Sequence, residues 1–220
     1  MEGLNYNISN ISDDLLNAAM QQLWSKRDYD TANFYTTGFE TIIFNRDPSF
    51  VLKTVLSSSV GFENELLIIG NGHTGETLCR TANEQNLTFH YFDIFSYNWS
   101  QIENLLYNRA HISHLLVGID SDTPIEQIPV INLLHLTSTH KCSLIVYSES
   151  SVDALNDIFG GAIDFMICGL TNEPPVSFLV ARRSQLVQTE GNSNSLNFDL
   201  YSYWQWSMRD RTPIIEPMRV

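Results

Sequence analysis

Lysine is scarce in this chain of 220 residues: only Lys26, Lys53 and Lys141 carry an ε-amine. Basic residues of both kinds number 12 against 25 acids, for a formal net charge of −13 at pH 7. A surface so short of positive charge repels a phosphodiester backbone and anionic lipid headgroups, which argues against nucleic-acid and membrane partners. Chemistry that needs a buried amine has three candidates and no more. Long apolar runs are also missing; the longest fall far short of the ~18 residues that a spanning helix requires. The first residues, MEGLNYNISNISDD, have neither the basic flank nor the apolar stretch of a secretory leader. Cysteines are few, Cys79, Cys142 and Cys168, odd in number and without metal-ligand spacing. They read as free thiols of a reducing compartment, so the expected location is cytoplasmic.

What the chain does have is core-forming material: 43% hydrophobic and 11% aromatic residues, ample for a packed interior. Short runs rich in Leu, Ile, Val and Phe at 66–69, 88–92, 114–119, 143–148, 163–168 and 177–181 read as strands buried on both faces. Helical patterns intervene at about 76–84, 101–110, 125–138 and 153–159, with an aromatic-rich one at 200–208. Pro129 inside the 125–138 pattern predicts a late start or a kink. Alternation of this kind predicts an α/β fold with a mostly parallel sheet flanked by helices. No repeat or linker divides the chain, so one domain is expected over 1–220, with a helical N-terminal segment at about 1–47 and an α/β core at about 50–220.

One motif stands out. Gly70-Asn71-Gly72-His73-Thr74-Gly75 fits G-x-G-x-x-G, follows a strand, opens a helix, and has Asp93 about 20 residues on at the end of the next strand. Gly70, Gly72 and Gly75 with Asp93 are therefore a candidate dinucleotide site, the glycines admitting a pyrophosphate and the acid binding a ribose. The same turn also serves simply to bring a helix close to a strand. Some 65 residues precede it, whereas the dinucleotide fingerprint belongs to a first strand. Six histidines include His111 with His114 and His135 with His140, but no acid or cysteine completes a metal set. No metal site is expected. Ser150, Ser151 and Asp153 lack the G-x-S-x-G elbow of a hydrolase.

A second signature lies near the end. Ala181-Arg182-Arg183 closes a strand; Ser193-Asn194-Ser195-Leu196-Asn197-Phe198-Asp199-Leu200-Tyr201 follows, then Trp204 and Thr212-Pro213. The run resembles A-R-R, S-R-S-L-S-L-D-L-Y-x-x-W and T-P-P of class V aminotransferases, most closely those of the 2-aminoethylphosphonate–pyruvate transaminase type. Asn71-Gly72-His73-Thr74-Gly75 is similar to the family's N-G-x-Y-G turn, Pro124-Ile125-Glu126-Gln127-Ile128 to its P-I-E-E-I helix start, and Leu144-Ile145-Val146 to the strand before its cofactor aspartate.

The resemblance implies the large domain of a fold-type-I enzyme that uses pyridoxal phosphate (PLP) and works as a dimer. It also implies a lysine for the Schiff base, an aspartate for the pyridinium nitrogen and a helix N-terminus for the phosphate. At the corresponding positions this sequence has Asn172 for the lysine and Tyr147 for the aspartate. The stretch from Pro48 to Val60 has no glycine, as though the phosphate loop were deleted. Asp120-Ser121-Asp122-Thr123-Pro124 stands for E-T-T-T-G, and the chain ends at Val220 before a counterpart of the small C-terminal domain. An amide forms no imine, and a phenol supplies no fixed negative charge to a pyridinium.

The resulting expectation is an aminotransferase-like pseudoenzyme with no catalytic residues and no cofactor. Its degenerate pocket would comprise Ser121, Thr123, Tyr147 and Asn172, and it would act as a homodimer or as a heteromer with a related or pathway protein. The alternative is an enzyme or sensor with altered ligand use: residual PLP chemistry, or a nucleotide at the glycine turn.

Overall fold

The computed structural model describes residues 38–210, apart from 97, 121, 125–126, 149–161, 171–174 and 194. Seven strands form one sheet: β1 Phe39–Phe44, β2 Glu65–Gly70, β3 Thr88–Asp93, β4 Ile112–Ile119, β5 Ser143–Ser148, β6 Phe165–Leu170 and β7 Val176–Arg182. Their order is β1-β7-β6-β5-β4-β2-β3. Strands β3, β2, β4, β5 and β6 run parallel; β7 is antiparallel to both its neighbours, β6 and β1. The mixed, mostly parallel sheet agrees with the alternation of apolar runs. The predicted helix at 153–159 and the segment 1–37 lie outside the described residues.

Helices cover both faces. Those named here are α1 Pro48–Ser59, α2 Gly72–Glu84, α3 Trp99–Asn108, α4 Val130–His140, α5 Arg183–Gln188 and α6 Leu200–Asp210. Alternate residues of each strand divide between two cores. Leu67, Ile69, Val117, Leu144 and Val146 face Ile102 and Leu106 of α3 and Leu133 and Leu136 of α4. Leu66, Ile68, Leu116, Ile145 and Tyr147 join Val51 and Leu52 of α1, Leu78 of α2 and Tyr203 and Trp204 of α6. Most of these side chains are wholly buried, each contributing about 1.5–3 kcal/mol of transfer free energy. Helix α4 begins directly after Pro129, where the ring can no longer break an internal hydrogen bond.

Two elements depart from the sequence expectation. Strand β1 occupies 39–44, within the stretch read as helical. Its Glu40 is buried and becomes tolerable because Arg183, the residue directly after β7, donates from Nε at 2.7 Å. Helix α1 starts at Pro48 with Asp47 as its cap, so the strand-to-helix turn read as deleted is present. It lies at Asn45-Arg46-Asp47, earlier than expected and without glycine.

The stretch at 193–204, which carried the strongest resemblance, forms a seam against α1. Ser58 Oγ donates to the Phe198 carbonyl at 2.8 Å and accepts from the Leu200 amide at 2.9 Å. Phe50 and Tyr203 pack edge to face with ring centroids 6.1 Å apart, and Asp199 caps α6 through Ser202. Ser58→Ala leaves the Leu200 amide without its partner, while the Phe198 carbonyl keeps the Ser193 hydroxyl at 3.0 Å. It is expected to cost about 1–3 kcal/mol, read as a shift in the urea midpoint with an unchanged slope.

Candidate functional site

In an open parallel sheet the natural ligand crevice lies beyond the strand C-termini, where the strand order reverses. Here the chain steps from β2 outward to β3 and then back across to β4, so the crevice opens over Gly70 and Ile119. Asn71 caps α2 from this point, and its Nδ2 donates to Thr123 Oγ1 at 3.3 Å. Its Oδ1 is buried with no hydrogen-bond partner. Gly72 has φ +50°, and a Cβ there would lie 3.0 Å from Asp120 Oδ2, which places a carboxylate at the α2 N-terminus.

The glycines of the fingerprint serve close packing. A Cβ on Gly70 would come within 3.2 Å of Gly75 Cα, and one on Gly75 within 2.7 Å of the Tyr91 hydroxyl, which itself donates to the Gly70 carbonyl at 3.0 Å. Asp93 does register opposite Gly70, as a dinucleotide site would want. Its Oδ1, however, accepts from the Phe95 amide at 2.9 Å, the Ser96 amide at 3.2 Å and Ser96 Oγ at 2.8 Å. Those bonds hold its carboxyl below the ordinary range, with the Phe95 amide contributing most. The acid is the cap of its own turn.

Of the family-equivalent pocket, Thr123 stands at the crevice beside Asn71, while Ser121 and Asn172 lie outside the described residues. Tyr147 is near the C-terminal end of β5, in register with Gly118 and Ile167. It is 2% exposed and belongs to the core beneath α1, α2 and α6. The turn before α1 is closed as well. Asp47 Oδ1 accepts from the Phe50 amide at 3.1 Å and from Ser49 Oγ. Partial burial pushes the Asp47 carboxyl up, but these hydrogen bonds prevail and hold it below the usual range. Ser177 Oγ donates to the Arg46 carbonyl at 2.6 Å, and a Cβ on Gly169 of β6 would overlap the Pro48 ring. The chain's own turn therefore fills the space between the α1 N-terminus and the end of β6.

Among the described residues no three His, Cys, Asp or Glu side chains gather as a metal site, and no helix is long and apolar enough to cross a membrane. All three cysteines are free; desolvation pushes the Cys142 and Cys168 thiols up to about 11 and about 12, so neither is a nucleophile near neutral pH.

Over 177 residues, 76% of its length, the chain is 26% identical to the 2-aminoethylphosphonate–pyruvate transaminase of Klebsiella pneumoniae, covering 48% of that protein. Over 182 residues it is 25% identical to the transaminase of the same name from Bacteroides fragilis, covering 77% of this chain and 49% of the other. This chain is similar in sequence to class V aminotransferases. It spans about half the length of the curated relatives it matches. No protein-family model matches it. Pyridoxamine–pyruvate aminotransferase from Mesorhizobium loti superposes with a TM-score of 0.60 at 13% identity, over 94% of this chain and 57% of that one. A serine palmitoyltransferase from S. paucimobilis, solved with a bound PLP–myriocin aldimine, gives a TM-score of 0.53 at 12% identity, over 84% and 47%. The fold is that of the large domain of fold-type-I PLP-dependent transferases.

The expectation of no cofactor is thereby corrected. The relatives are transaminases, and a neighbour of the same fold holds PLP, so PLP is the cofactor with which this architecture belongs. At the two places to which the resemblance assigns the phosphate and the pyridinium, the described residues do not match that chemistry. The α1 N-terminus presents a carboxylate where a phosphate would need open amides, and β5 presents a buried phenol where a pyridinium would need an acid.

Proposed function

We propose that this is an aminotransferase-like protein that does not carry out imine chemistry on a lysine of its own and acts as a structural or regulatory subunit. It pairs with a second copy or with a related or pathway protein, in the cytoplasm. The observation that carries this reading is Tyr147: a phenol buried to 2% exposure near the end of β5, at the position where the resemblance places the acid that pairs with a pyridinium. The self-capped turn at Asp47 supports it independently. Tyr107 on α3 and Ile131 on α4 are 84% and 83% exposed on one covering layer, which supports a subunit contact there.

The purified full chain, incubated with PLP and reduced with borohydride, is expected to show no stoichiometric pyridoxyl adduct on Lys26, Lys53 or Lys141 by peptide mass spectrometry. An adduct on any of the three overturns the reading. A second reading, a small-molecule sensor, has one observation in its favour: the buried, unpartnered Asn71 Oδ1 at the crevice. Thermal shifts with nucleotides and with PLP that vanish in Asn71→Leu would favour it.

A further inference from the structure

At the opposite edge of the sheet, where the parallel strands begin, a cavity of about 450 Å³ opens between the starts of β4 and β5 and helix α5. Its volume falls within the range of small-molecule sites, ~300–1,000 Å³. The lining is polar and comes from separate segments: Ser113 and His114 lie near the start of β4, Ser143 opens β5 with Lys141 just before it, Asp164 precedes β6, and Gln185 and Gln188 project from α5.

The chemistry of the cavity follows from which of these groups are already engaged. Asp164 is fully occupied. Its Oδ2 accepts from Ser143 Oγ at 3.0 Å and the Leu144 amide at 3.1 Å, and its Oδ1 accepts from Arg182 Nε at 3.0 Å. Its charge is matched by that guanidinium, which also lies over the Phe39 ring at 4.8 Å. His114 is more than nine-tenths buried, and its Nδ1 and Ser113 Oγ share a hydrogen bond of 2.7 Å. The wall therefore offers no free acid. What it offers without a protein partner is the Lys141 ammonium and the side-chain amides of Gln185 and Gln188. One cation stands uncompensated, in a chain of net charge −13 that holds only three lysines. Lys141 also sits in left-handed backbone, φ +56°, as the C-cap of α4. Glycine is usual there, and a side chain costs roughly 1–2 kcal/mol.

A dianionic phosphate is held by several cations or by a run of backbone amides, and the cavity has neither. A single ammonium flanked by amides suits a single carboxylate. We infer that the cavity binds a small organic carboxylate, its anionic group on Lys141 and the Gln185 and Gln188 amides, its remaining polar atoms toward Ser113 and the neutral His114. The site is separate from the crevice at the other end of the strands and does not rest on the reading proposed above.

The test is an amide chemical-shift titration of the ¹⁵N-labelled full chain with acetate, succinate and citrate, using inorganic phosphate and glycerol as controls. At least one carboxylate is expected to give saturable shifts confined to residues 113–114, 141–143 and 185–192. Lys141→Gln, on an exposed side chain, is expected to weaken that binding about tenfold while leaving the remaining spectrum in place. Absence of saturable shifts, shifts centred elsewhere, equal response to glycerol or phosphate, or unchanged affinity in Lys141→Gln each overturns the inference.

Discussion

Tyr147→Asp, the substitution that would restore the family's acid near the end of β5, is expected to destabilise the protein by about 4 kcal/mol or more. Two losses add. Removing the ring from a site 2% exposed leaves a cavity worth about 3–5 kcal/mol in a close-packed core. The incoming carboxyl lies among apolar side chains of β4, β5, α1 and α2 and must either ionise at great cost or stay protonated. Tyr147→Phe serves as the control; it keeps the ring, loses only what the hydroxyl holds, and is expected to cost about 1 kcal/mol. Urea denaturation of the three proteins separates the ring from the charge. Should Tyr147→Asp fold within about 1 kcal/mol of the parent and gain the absorbance of a pyridinium-paired PLP, the position is an open cofactor site. The proposed function would then fail.

The experiment also marks what the sequence could and could not tell. That a phenol stands after Leu144-Ile145-Val146 is legible from the residues; that it is packed under α1, α2 and α6 is not, since those helices are far from β5 along the chain. The glycine turn was legible as strand, turn and helix. Its purpose depended on Tyr91 and Gly118, whose proximity to Gly75 and Leu78 only the folded sheet creates. Strand β1 was hidden by Glu40, a residue that discourages a buried-strand reading until Arg183 is brought beside it from 143 residues away. Asp47-Pro48-Ser49 is a recognisable helix start, with capping acid and proline at N1, yet a search for glycine at the phosphate turn passes over it. The cavity at the sheet's N-terminal edge had no signature, because its lining is drawn from several separate segments.

Lowering the pH from 7 to about 4 is expected to remove on the order of 3 kcal/mol of stability through His114 alone. Desolvation lowers its pKa from the ordinary 6.5 to about 4, with Asp164 opposing but not reversing the shift. In the unfolded chain the imidazole is protonated below 6.5, whereas the folded protein excludes the proton until about 4. Between these values the unfolded state binds more protons, so stability falls as pH falls; above 6.5 both forms are neutral and the effect vanishes. A difference of about 2.5 pK units corresponds to roughly 3 kcal/mol. The charged groups lining the same cavity are Lys141 and Asp164, the latter matched by Arg182. Carboxyls held below their ordinary range push in the same direction: Asp47 and Asp93, ordinarily at 3.8, near and below pH 4, and Glu65 and Glu84, ordinarily at 4.5, from about pH 5 downward. Between 6.5 and about 5.5 the histidine acts alone, and below that a His114 variant separates it from the glutamates. Urea midpoints at pH 7.0, 6.0, 5.0 and about 4.5 should decline for the parent and much less for His114→Gln, which keeps a neutral polar group beside Ser113. A level profile in the parent, or an equal decline in the variant, would show that His114 takes up its proton in the folded state and that the wall around it is wetter than its burial implies.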